Sequence, residues 1–175
     1  MKVLFSGEIE VDYGQIFVES RSDGDPLDLW DAFTGQEGVG LCGGGRDGTL
    51  VLLTGLHNGG VGFTAELHDS TPTLDDTWED IVEVPFRPVS EETKLRQWNG
   101  KGRWELPLEV TDYRVRYSAT AMDAAFGLNN RDDDQPQTDR YLLQFWPATP
   151  KQARVLKQTS RQAARWHAFA TPPVG

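Results

Sequence analysis

The sequence predicts a mainly β fold: an antiparallel β-sandwich over residues 1–148, with an amphipathic C-terminal α-helix at 149–170 packed on it, all in one domain spanning 1–175. Three observations predict it. Apolar residues in the first half recur with a period of two more often than 3.6, the signature of half-buried strands. Turn-forming clusters punctuate the apolar runs at short intervals, as a sandwich requires. Six Trp, eight Phe and four Tyr lie scattered along 175 residues, enough material for one core and no interdomain linker.

Each element follows from its residues. Glu8-Ile9-Glu10-Val11-Asp12-Tyr13 alternates strictly, and Gln15–Glu19 continues the strand after a bulge at Gly14. Arg21 to Pro26 is turn chemistry, and Leu27–Phe33 reads as a short helix with acids in its first turn. Thr49–Leu53 and Val61–Leu67 are strands, with His57-Asn58-Gly59-Gly60 between them as a tight hairpin signal. Ile81–Phe86 is a strand that Pro85 confines to an edge or a bulge. Tyr113–Ser118 alternates rings and aliphatics with arginines, so one face is buried and the other basic. Arg140–Pro147 is almost continuously apolar, as a central strand is. Asn129–Pro136 is a polar loop. Thr149-Pro150 reads as N-cap and first residue of a helix that runs to Phe169, with Ala153, Leu156, Ser160, Ala163 and His167 near one face.

Net charge is −10, but it is unevenly spread. Residues 1–83 hold seventeen acids and three bases, residues 84–140 are near neutral, and residues 141–175 hold five bases and no acid. An acidic body repels phosphate backbones, which argues against nucleic-acid binding and suits a basic protein partner. No apolar run approaches the roughly 18 residues of a membrane span. The first residues are too short in apolar character for an export signal, and Cys42 is alone, so the expected compartment is the cytoplasm.

No motif carries a catalytic or cofactor reading. Gly38-Val39-Gly40-Leu41-Cys42-Gly43 has the spacing of a dinucleotide loop, but no strand precedes it and three glycines follow where a helix must start. Cys42 between Gly40 and Gly44 has the spacing of a nucleophile elbow, and the same glycines argue against it. His57 and His68, eleven residues apart, lack the close spacing of zinc ligands. Asp23, Asp25 and Asp28 depart from a calcium-loop register at Pro26, and Asp132-Asp133-Asp134 reads as solvated charge. No cofactor, metal or catalytic residue is therefore expected. Asp75, Asp76, Trp78, Glu79 and Asp80 stand apart as a candidate partner-binding segment: one aromatic anchor among four acids, the mixture found at interface hot spots.

Several short segments, in order, resemble the ComJ-type family, inhibitors of the competence-associated DNA-entry nuclease. They are Val11–Val18, Trp30-Asp31-Ala32, Val84-Pro85-Phe86, and Leu106-Pro107 followed by Tyr113. The resemblance covers roughly residues 8–120. It implies a small acidic protein that inhibits a nuclease by protein–protein contact.

Charge and resemblance lead to one expectation: a non-catalytic, acidic inhibitor or immunity-like protein acting on a basic partner, such as a nuclease or toxin. A second reading is a small hydrolase or ligand-binding β-protein whose site is built from loop carboxylates and His68. A third is a structural subunit whose basic terminal helix docks elsewhere.

Overall fold

The computed structural model describes residues 1–21 and 28–171. Its first half contains β1 (Lys2–Val11), β2 (Gln15–Glu19), α1 (Leu29–Ala32), β3 (Cys42–Gly43), β4 (Thr49–Leu53) and β5 (Gly59–Leu67). The second contains β6 (Asp80–Phe86), β7 (Lys94–Gln97), β8 (Arg103–Glu105), β9 (Tyr113–Thr120), α2 (Met122–Leu128), β10 (Arg140–Pro147), β11 (Arg154–Lys157) and α3 (Arg161–Phe169). One sheet has the order β1-β5-β10-β9-β6-β11 and the other β3-β4-β2-β7-β8. Pairing is antiparallel except between β5 and β10.

Period-two side chains close the sandwich. Tyr113, Val115, Tyr117 and Ala119 of β9 and Tyr141, Leu143 and Phe145 of β10 meet Ile16, Val18, Leu50, Leu52 and Leu95 of the second sheet in one core. The second sheet is covered on its other face too. Phe17, Val51 and Leu53 pack with Ala32, Phe33 and Ala170, with Trp166 and Phe169 of α3 against them. That double cover explains why every residue of Thr49–Leu53 is buried.

The expected strands are present, and β10 is central as predicted. Four details differ. The helix expected at 149–170 is shorter: Arg154–Lys157 is a strand antiparallel to β6, and the helix starts only at Arg161, capped by Ser160. The bare edge of β6 gains hydrogen bonds from β11 that a longer helix would forgo. His57–Gly60 does not turn a hairpin, because β4 and β5 lie in different sheets and residues 54–58 cross between them. Gly14 is no bulge; Tyr13 and Gly14 form the two-residue turn where the chain passes from one sheet to the other. The short helix is Leu29–Ala32, capped by Asp28, whose carboxylate accepts from Trp30 N at 2.9 Å. The predicted turn after Arg21, with Asp23 and Asp25, lies outside the described residues.

Candidate protein-interaction face

Register places five strand ends together. The end of β1 meets the start of β5 at Val11 and Gly59, Arg140 opening β10 pairs with both Gly62 and Thr120, and Asp80 opening β6 pairs with Ala119. The connections at this end of the first sheet carry three groups of acids. These are Glu8, Glu10 and Asp12; Asp132, Asp133 and Asp134; and Asp75, Asp76 and Glu79, with Asp123 on α2. Exposed rings stand among them: Tyr13 at 57%, Trp98 at 46% and Phe126 at 45% exposure.

One corner is built by the turn between β1 and β2. Tyr13 and Gly14 have φ of 57° and 64°, the left-handed pair that matches strand twist in a two-residue turn. Glycine is required second, since a Cβ there would press on the carbonyl oxygens of Thr54 and Leu56 at 3.2 Å. The turn projects the Tyr13 ring outward, edge-on to His57 at 5.4 Å and to Trp98 at 5.0 Å. Asn99 Nδ2 donates to Asp12 at 3.1 Å and ties the β7–β8 turn to it. Beside this corner the 131–137 loop lies on β5, where side chains at Gly59, Gly60 and Gly62 would collide with Arg131, Glu8 and Gln137. Buried Arg131 pairs with Glu8 at 2.8 Å. Glu10 sits above the usual carboxylate range through partial burial and then the charges of Asp133 and Glu8, against which Arg131 pulls it down.

The segment proposed from the sequence occupies the opposite corner, and its residues fare differently. Asp75 and Asp76 are exposed. Asp75 accepts from Thr77 N at 3.0 Å, Thr77 Oγ1 at 2.6 Å and the Trp78 side chain; these bonds, led by Thr77, hold its carboxyl below the usual range. Trp78 is half-buried, with Arg140 over its ring at 5.4 Å. Glu79 is half-buried and accepts from Ala121 N at 3.2 Å. Asp80 departs from its predicted role: it is fully buried and accepts from Thr159 N at 2.7 Å and Ser160 N at 3.0 Å. Its carboxylate anchors the start of α3 and faces no partner.

The remaining sequence candidates resolve as packing. The glycine run lets the chain pass under α3, for a Cβ at Gly40 would enter the Trp166 backbone. Gly40 N donates to His167 Nδ1 at 2.8 Å. Cys42 is fully buried, which pushes its thiol far up. His57 and His68 are apart, His68 pairing instead with Glu66 of β5 at 2.8 Å. The side chains within hydrogen-bond distance of the His68 ring are those of Glu66 and Gln144. Among the described residues, no three His, Cys, Asp or Glu side chains gather as metal ligands.

On the outward face of the first sheet, Glu83 joins Arg114, Arg116 and Arg154 at 3.3, 3.0 and 2.9 Å. Arg114 also donates to the carbonyls of Lys151 and Gln152, and Arg116 to that of Pro72. The cluster thus pins two covering segments over the sheet, around a cavity of about 290 Å³. Sequence reasoning missed Tyr13 and Trp98. The signal within reach was Asp12-Tyr13-Gly14-Gln15 read as a two-residue turn, which would have turned the Tyr13 ring outward.

No family model matches the sequence, and no curated protein sequence matches it significantly. Among solved structures, the chain is similar to the crystal structure of ComJ, inhibitor of the DNA degrading activity of NucA, from Bacillus subtilis. The TM-score is 0.58 at 17% identity, over 84% of this chain and 98% of that one. It is also similar to a protein described as crocagin biosynthetic gene J, with a TM-score of 0.51 at 12% identity, over 85% and 98% of the two chains. The resemblance read from residues 8–120 thus holds for the fold, and the shared fold reaches beyond that segment. Among the described residues no helix is long and apolar enough to cross a membrane.

Proposed function

We propose, starting from a fold shared with a nuclease inhibitor, that this chain is a non-catalytic, acidic inhibitor or immunity-like protein that binds a basic protein partner such as a nuclease. A fold alone hosts many functions, so the reading is carried by one observation: carboxylates and exposed rings concentrate at the same end of one sheet. A nuclease cleft is built for phosphates, and an acidic surface competes for the same cations. Asp75, Asp76, Trp78 and Glu79 form one margin of this surface, and the corner at Tyr13 forms the other.

The test is inhibition. Purified protein is mixed with Bacillus subtilis NucA, and separately with any nuclease encoded beside this gene, while DNA cleavage is followed. Near-stoichiometric loss of cleavage in either mixture is the expected result. A folded protein that neither binds nor inhibits these nucleases at micromolar concentration removes the reading.

A further inference from the structure

We infer that the corner formed by Tyr13 and Trp98 is the anchor of this surface: its rings seat an arginine or lysine side chain of a basic protein, and Asp12 and Glu10 pair with that cation. The inference rests on the binding-protein reading above and names its contact point.

The chain itself shows the chemistry. At the same end of the sheet, Arg140 stands over Trp78 at 5.4 Å and Arg165 over Phe126 at 5.7 Å. Those rings are already matched by cations of the chain. Among the described residues, no arginine or lysine stands over Tyr13 or Trp98, although their exposures of 57% and 46% leave both rings open. A guanidinium over an indole or phenol face is favourable, more so when flanking carboxylates offer a fork to bind.

The backbone argues the same way. A tyrosine at φ 57° occupies a conformation that costs a residue with a Cβ roughly 1–2 kcal/mol, and asparagine or glycine would sit there with less strain. The Tyr13 ring belongs to neither core cluster, and its ring contacts are with His57 and the exposed Trp98. Charge selects the occupant. Glu8, Glu10, Asp12 and Asp133 face one buried arginine, Arg131, with Lys101 and Arg103 on the adjoining β7–β8 hairpin. That excess repels phosphates and favours a protein cation.

The test uses an acetylated, amidated tetra-arginine peptide, with tetra-glutamate as the control, titrated into the 15N-labelled full chain. The Trp98 indole and Tyr13 amide signals are expected to shift with tetra-arginine alone. Trp98→Ala is expected to weaken binding about three- to fivefold. Tyr13→Asn is expected to do the same, and asparagine tolerates the turn, so the fold survives. Glu91→Gln, exposed and at the far end of β7 from Trp98, should stay within about twofold. No binding at millimolar peptide, shifts confined to residues 75–80, or indifference to both ring variants would each overturn the assignment. No nuclease is present, so failure to inhibit one leaves this result standing. Conversely, a peptide that misses the corner leaves inhibition through Asp75 and Asp76 open.

Discussion

Glu83 lies at 2% exposure on the outward face of β6, where its desolvation is tolerable only because three guanidiniums surround it. Burial pushes its carboxyl up, yet Arg154 and Arg116 outweigh burial and leave it below 4.5. Glu83→Gln strands buried arginines without their anion and should cost about 3 kcal/mol, read as a fall in urea midpoint. The sign of the pH response follows. A carboxylate depressed in the fold contributes stability above its unfolded value of 4.5 and loses it as pH falls through the lower folded value. His167 acts in the same direction at milder pH. Burial lowers it below 6.5, and its Nδ1 must stay unprotonated to accept from Gly40 N. Buried Asp139, raised by desolvation, opposes them: its contribution favours the fold in acid and fades as pH rises past 3.8. Acid titration of the urea midpoint should therefore fall first below about pH 6.5 and again below about 4.5. His167→Gln should remove the first step and Glu83→Gln the second.

At the scale of elements, α3 shows what sets a helix boundary. Ser160 Oγ accepts from Ala163 N at 3.0 Å, and the Asp123 carboxylate accepts from Arg161 N and Gln162 N. Ser160→Ala should therefore cost about 1 kcal/mol, while Thr149→Ala, outside any helix, should stay within about 0.5 kcal/mol in the same denaturation assay. Equal effects would contradict this boundary. Thr149-Pro150 carried the local grammar of a helix start, and Ala153, Leu156 and Ala163 fell near helical spacing. What decided 154–157 was pairing with Ile81–Glu83, over seventy residues away in sequence, which no local pattern records. Strands with strict alternation, such as Tyr113–Ser118, were legible because an apolar residue at every second position is itself a local pattern, but the burial of the arginine face too, with Arg114 and Arg116 under covering segments, was not. The candidate interaction face was legible as charge but not as geometry. That Asp80 turns inward and Arg140 covers Trp78 depends on contacts from distant segments.

Over the whole molecule the charge asymmetry of the sequence is partly folded away. Bases from the last third return to acids of the first half: Arg154 meets Glu83, and Lys157, held by the backbone carbonyl of Asp76 at 2.6 Å, acts by its charge on the Asp75 carboxylate. The corner at Tyr13 receives one of these bases, Arg131, which pairs with Glu8. Association with the proposed basic partner should thus slow at least several-fold between about 0.05 and 0.5 M salt, as screening shortens to a few ångströms, with dissociation less affected. Stopped-flow mixing at a series of salt concentrations measures it, and a rate indifferent to salt would exclude steering by these carboxylates. The placement of β10 between β5 and β9 governs the order in which the molecule can be made. On a ribosome, the β1–β5 pair and the β6–β9 pair emerge early but have no shared border until residues 140–147 arrive as the wedge between them. Until then each pair presents a raw sheet margin, so the nascent chain passes through a stage open to mispairing.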